Sequence, residues 1–193
     1  MLPADHARFP GVAIVLKNGQ TVHLRPLTTA DGEALADCYA DIPPEHIRFY
    51  CPYPLDREHA LRNASRADSP TEVVLVAETA DRRIAGYAWY RWSDGAPASI
   101  FGICLRPAYQ GQRLGRALMT RLLAIAREVG PRVMSLTVQL ANTRAVKLYT
   151  SMGFTVVREQ TRQPDPARGF AEEPEYYMEL TLERTAEQEL RAR

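Results

Sequence analysis

The sequence predicts a mixed α/β (α+β) domain with a mostly antiparallel central sheet of about seven strands flanked by helices. Three observations predict it. Asn18-Gly19 lies between the apolar runs Val12–Leu16 and Thr21–Leu27, a strong hairpin signal. Residues 72–105 hold successive strand-like runs separated by short turns, which reads as an antiparallel meander. The chain then runs strand, helix, strand, helix, strand, strand, and the strand–helix–strand passage calls for a parallel crossover.

The elements follow from local chemistry. Residues 1–10 and 184–193 read as flexible, the latter as a frayed helix, and 1–193 as a single domain. Thr28 or Thr29 caps a helix through Leu35, Ala36 and Tyr39, which Pro43-Pro44 ends. Pro44 opens a helical turn from Glu45 to Tyr50, and Asp56 caps a helix that runs through Leu61 to about Arg66. Glu72–Glu78 is a buried strand, and Arg83–Tyr90 is its partner. Ser99–Leu105 is the next strand. Leu114, Leu118, Leu122, Ile125 and Val129 share one helix face until Gly130-Pro131. Met134, Leu136 and Val138 alternate with Ser135 and Thr137, a strand. Asn142 caps a helix through Tyr149 that Gly153 ends. Phe154–Gln160 and Glu175–Leu182 are the last strands, joined by a polar loop from Arg162 to Pro174.

Composition excludes several classes. The chain has 193 residues, 46% hydrophobic and 24% charged, enough for one well-filled core. A net charge of +1 argues against a general nucleic-acid binder. No apolar run has membrane-spanning length, and Met1–His6 lacks a signal-peptide pattern. Cys38, Cys51 and Cys104 are odd in number and widely spaced, which suggests free thiols in a reducing cytoplasm. His6, His23, His46 and His59 show no metal-ligand spacing, so no metal is expected.

The chain is organised around Leu105–Leu118. A strand, a short glycine-bearing turn and a helix start produce an anion site from unpaired N–H groups and the positive end of the helix dipole, with Arg113 and Arg116 adding charge. A Walker loop would need Lys-Ser or Lys-Thr, and a dinucleotide fingerprint a third glycine; neither is present. Gln110-Gly111-Gln112-Arg113-Leu114-Gly115 resembles the Gln/Arg-x-x-Gly-x-Gly/Ala motif of the GNAT family of N-acetyltransferases. The pattern also fits later, at Gln112–Ala117, but the distance from Pro107 and the helix face favour the first register. That register puts Arg113 where the family usually has glycine. Either the backbone there needs no positive φ or the loop differs, and the arginine either contacts phosphate or hinders it.

Asn142, Ala145, Leu148-Tyr149 and Gly153-Phe154 are similar to a second motif of the same family. Asn142 and Tyr149 are two helical turns apart, on one face. The joint resemblance implies a GNAT-like acyl-CoA N-acyltransferase fold and acetyl-CoA as co-substrate. It implies that Gln110, Gly111, Gln112, Arg113, Leu114, Gly115 and Arg116 hold the pyrophosphate, with Asn142 beside them. It further implies that backbone groups near Ile103 and Leu105 pair with the pantetheine arm, and that Tyr149 is the general acid to the CoA thiolate.

Acetyl transfer to an amine needs a neutral amine, and a lysine-like amine with pKa about 10.4 is almost wholly charged at neutral pH. A base is therefore useful. Relatives often carry a glutamate early in the strand before the loop; Ser99 and Ile100 occupy those positions here. Glu78, on the neighbouring strand pair, is the candidate base, with Asp94, Glu45, His46 and Glu173 as alternatives. Cys104 reads as a small core residue rather than a nucleophile. The segment Ile42–Tyr50 faintly resembles acetyltransferase domains fused to acyl-CoA-synthetase-like proteins, which modify protein lysines. Tyr50, Tyr53, Tyr87, Trp89 and Trp92 are candidates for an aromatic acceptor pocket, and the loop 162–174, with Glu172 and Glu173, for its cover. The resulting expectation is direct acetyl transfer to a primary amine of a small molecule or protein, by a cytoplasmic enzyme, with a homodimer as the family's common assembly and no nucleic-acid or membrane partner. The competing class is a CoA-binding regulatory module without catalysis, motivated by the missing glutamate and by Arg113.

Overall fold

The structure is a computed structural model and describes residue 1, residues 3–50 and residues 52–186. Cys51 and positions 187–193 lie outside the described residues. Strands β1 (Val12–Val15), β2 (Thr21–Pro26), β3 (Glu72–Thr79), β4 (Ile84–Arg91), β5 (Ala98–Leu105), β6 (Val133–Gln139), β7 (Thr155–Arg162) and β8 (Glu173–Thr181) form one sheet. Its order is β1-β2-β3-β4-β5-β6-β8-β7, eight strands rather than about seven. Among the described residues only β5 and β6 are parallel neighbours, as the crossover required.

The helices are α1 (Pro3–Arg8), α2 (Gly32–Ala40), α3 (Pro44–Ile47), α4 (Arg57–Ser65), α5 (Leu114–Ala126) and α6 (Thr143–Ser151). The caps form where the sequence placed them. The Asp56 carboxylate accepts from His59 N–H at 2.8 Å, and the Thr28 N–H and Asp31 carboxylate meet at 2.7 Å in a capping box. Both faces of the sheet are covered, so β3 and β4 are buried along nearly their whole length. One core contains Leu114, Leu118, Leu122 and Ile125 of α5 with Phe101 and Phe154. The other contains Leu35 and Tyr39 of α2 with Tyr87, Trp89 and Cys104.

Met1 and Phe9 are 2% and 7% exposed and fill the α5-side core around α1. Burying each apolar side chain stabilises by about 1.5–3 kcal/mol, which offsets part of the entropy lost in ordering the segment. The tail is also anchored where it begins: Arg184 donates to the carbonyls of Ala126 at 2.8 Å and Gly130 at 2.6 Å.

Candidate active site

The site begins where two strands part. β5 pairs with β6 only across Ala98–Ile100 and Val133–Ser135, while β5 stays bonded to β4 as far as Leu105. Arg106 N–H donates to Ala85 O at 2.9 Å, on the β4 side. Strand alternation therefore turns the N–H and C=O of Leu105 and Ile103 the other way, into the gap that β6 leaves. The Gln110 side chain enters this gap and donates to Leu105 O at 3.3 Å.

The loop after β5 resolves the Arg113 question. Gly111 and Arg113 both adopt positive φ, +73° and +69°. The backbone does need the left-handed conformation at Arg113, and an arginine adopts it, at a cost of about 1–2 kcal/mol that glycine would avoid. The Ala117 N–H donates to Arg113 O at 3.1 Å. The N–H groups of Leu114, Gly115 and Arg116 precede that bond and have no partner within α5, so they make a positive helix start. No acidic residue occupies the first turn of α5 or of α6. The guanidinium of Arg116 rests on Ser151 Oγ at 2.7 Å, and that of Arg144 on Gln110 Oε1 at 3.2 Å.

A cavity of about 610 Å³ collects these groups. Gln110, Gly111, Arg113, Gly115, Arg116 and Arg144 are among its lining residues, as are Ile103, Leu105, Asn142 and Tyr149. Two candidates sit apart from it. Leu114 has no exposed surface and packs in the core, and the carbonyl of Gln112 accepts the Lys17 N–H at 3.3 Å. Asn142 caps α6 through Ala145 N–H at 3.3 Å and also faces the cavity. Tyr149 is buried edge-on against Phe101, with ring centroids 6.0 Å apart. Burial pushes its hydroxyl well above the usual tyrosine pKa, so it keeps its proton across the neutral range. A second cavity of about 480 Å³ shares Phe49, Tyr50, Ile103 and Tyr149 with the first, which puts Tyr149 at their junction.

Glu78 is not in this arrangement. It lines neither cavity, and its carboxylate is bound by Arg25 at 3.0 and 3.3 Å. Arg25 holds its pKa below the usual carboxylate range, the reverse of what a base needs. Glu45, Asp94 and Glu172 are exposed and line neither cavity. Glu173 is taken by Arg48 at 3.0 Å and Arg162 at 3.2 Å, so the loop 162–174 is tied beside α3 rather than over the cavities. His46, one of the alternatives, does line the first cavity, and its Nδ1 is buried with no hydrogen-bond partner. Cys104 also lines it, but burial raises its thiol pKa far above the nucleophilic range.

The aromatic candidates divide. Tyr50 and Trp89 line the second cavity. Tyr53 and Tyr87 pack behind them in a chain of hydroxyls, Tyr50 Oη donating to Tyr53 Oη at 2.7 Å. Trp92 stacks on Tyr90, 5.3 Å between centroids, in the α5-side core. Sequence reading missed Arg144 and Arg91 as lining residues. The available signal for Arg144 was electrostatic: cations disfavour a helix N-terminus, so one placed there awaits an anion.

Among the described residues no cluster of three or more His, Cys, Asp or Glu could hold a metal ion, and no helix is long and apolar enough to cross a membrane.

Comparison with known proteins gives a consistent result. A mycothiol acetyltransferase from Stackebrandtia nassauensis is 33% identical over 102 residues, 51% of this chain and 33% of the relative. An L-methionine sulfoximine/L-methionine sulfone acetyltransferase from Salmonella typhimurium is 36% identical over 90 residues, 45% of this chain and 52% of the relative. The chain thus spans between a third and about half of the length of these curated relatives. A putative acetyltransferase from Salmonella typhimurium, solved with acetyl-CoA, superposes with a TM-score of 0.69 at 25% identity, covering 86% of this chain and 96% of that one. Residues 35–154 match the acetyltransferase (GNAT) family, and the chain belongs to that family of N-acetyltransferases.

Proposed function

We propose that the chain moves acetyl from acetyl-CoA to a primary amine by direct attack, with Tyr149 as the general acid. One observation carries this reading: the arginine-rich loop, the bare strand edge of β5 and Tyr149 all open onto one cavity. The donors fit a CoA molecule. The N–H groups of Gly111, Gly115 and Arg116 with the side chains of Arg113, Arg116 and Arg144 suit phosphates, and the backbone of Ile103 and Leu105 suits the amides of a pantetheine arm. Asn142 completes the wall between them.

Acetyl-CoA supplies an activated thioester, and the protein supplies position and protons. The amine reaches the junction through the second cavity, past Phe49 and Tyr50. Among the described residues no Asp or Glu lines either cavity, so His46 replaces Glu78 as the group that takes the amine proton. Backbone N–H groups on the open edge of β5 face the carbonyl that gains negative charge. The Tyr149 hydroxyl, kept protonated by burial, donates toward the departing sulfur.

The test is a mass-spectrometric screen of primary amines, from amino acids to lysine peptides, with acetyl-CoA. Tyr149→Phe should lower kcat about 100-fold or more and leave the acetyl-CoA Kd within about two-fold. His46→Gln should lower kcat most for the most basic amines. Acetyl-CoA binding with no acceptor in the whole set would favour the regulatory-module reading.

A further inference from the structure

The second cavity has an asymmetric charge. Its floor is Trp89, which lies flat on β5 because Gly102 leaves room: a Cβ there would fall 2.4 Å from the indole Cζ2. The guanidinium of Arg91 sits 4.0 Å from the Trp89 ring centroid, at the cavity wall. Its Nη2 donates to Glu72 Oε1 at 2.7 Å. Glu72 is shared, because its Oε2 lies 3.2 Å from Arg66 Nη2. One carboxylate thus stands between two guanidiniums. The Nε of Arg91 is buried without a partner, and its Nη1 has none among the described residues. The lining also includes Ser135, whose hydroxyl donates to Ser99 O at 3.0 Å, and Thr137, and among the described residues it contains no Asp or Glu.

From this we infer that the acceptor is a free amino carboxylate, its amine at the Tyr149 junction and its carboxylate on Arg91, and not a polyamine. The inference rests on the acetyltransferase reading for the amine end only. A polyamine brings a second cation into a cavity that has no carboxylate to meet it and one guanidinium to repel it. An amino carboxylate brings a second anion to Arg91, whose one carboxylate partner, Glu72, is shared with Arg66, and adds charge-assisted hydrogen bonds. The roof of Phe49, Tyr50 and Pro52 and a volume of about 480 Å³ suit a small molecule with an apolar side chain lying on Trp89.

The experiment compares kcat/KM for the proteinogenic L-amino acids, their carboxamides and spermidine, in wild type, Arg91→Met and the charge-balanced double variant Glu72→Gln/Arg91→Met. The preferred acid should exceed its carboxamide by about ten-fold or more. Both variants should erase that preference while moving the carboxamide by no more than about two-fold. A carboxamide or spermidine that matches the best acid overturns the inference, as does an equal loss for acid and carboxamide. A binding arm separates this from failure of the transferase reading. Titration calorimetry in the presence of CoA should show carboxylate-dependent heat in wild type that Arg91→Met loses, whether or not turnover occurs. Equal heat for acids and carboxamides, or none for any acid, overturns it.

Discussion

Arginines hold the two ends of this molecule in opposite ways. On the α2 side, Arg106 is 3% exposed and every arm is engaged: Nε with Ile84 O at 2.6 Å, Nη2 with Asp37 at 2.6 Å, and Nη1 with Asp41. Arg25 likewise binds Asp31 at 2.8 Å through both terminal nitrogens and Glu78 through Nε and Nη2. Around the loop, Arg113, Arg116 and Arg144 make no ion pair among the described residues, and Arg116 and Arg144 rest on a serine and a glutamine instead. The saturated arginines fasten α2 and its lead-in to the sheet. The unsaturated ones leave positive charge facing a cavity. A cation already matched by carboxylates serves the fold, whereas one left unmatched beside a helix start is available to an anion.

The largest effect should fall on the saturated set. Arg106→Met leaves the Ile84 carbonyl without its donor and Asp37 and Asp41 with only the more exposed Arg83 as their shared cation. It should cost about 3 kcal/mol and lower Tm by roughly 6–12 °C, with the acetyl-CoA Kd unchanged. Thermal unfolding and calorimetry on the same sample check both halves. The loop set should show the mirror image. Arg116→Met and Arg144→Met should each raise the acetyl-CoA Kd about ten-fold with Tm unchanged within about 2 °C, and added salt should shrink the difference.

Acid should next separate the two sets. The hydrogen bond from Arg25 holds Glu78 below the usual carboxylate range, and burial pushes Asp31 up but Arg25 and Thr28 outweigh it. Folded pKa values below the unfolded ones, near 3.9 and 4.3, mean that this stability is fully present above about pH 5 and is lost as pH falls through the folded values. Urea midpoints between pH 6 and pH 3 should fall, and the Glu78→Gln variant should show a shallower fall. Arg113→Gly should give the smallest effect and split the two properties: stability up by about 1 kcal/mol as the left-handed residue becomes glycine, and acetyl-CoA Kd raised a few-fold as one guanidinium leaves.

Local features carried most of what was legible. The hairpin at Asn18-Gly19, the caps at Asp56 and Asn142, and the loop–helix signature from Gln110 all depend on neighbours within a few residues. The failures were long-range. Glu78 read as a free carboxylate because Arg25, its partner, is 53 residues away. Glu173 read as a lure for an amine because Arg48, 125 residues distant, is brought to it only by the folded sheet. Met1 and Phe9 read as loose because nothing in their own segment shows the core that receives them. Tyr53 and Tyr87 could not be told from Tyr50 and Trp89, since the line between packing and cavity is drawn by how the 42–55 segment crosses β4 and β5. At Arg113, the residue type argued against the conformation that the turn imposes.

Whether the unmatched arginines and the loop amides bind phosphate is settled by one titration: calorimetry with acetyl-CoA beside acetylated pantetheine, which lacks the nucleotide phosphates. Acetyl-CoA should bind at least about 100-fold more tightly, with an affinity that falls as salt rises. Equal affinities, or no heat from either ligand at millimolar concentration, would contradict a phosphate cradle at Gln110–Arg116.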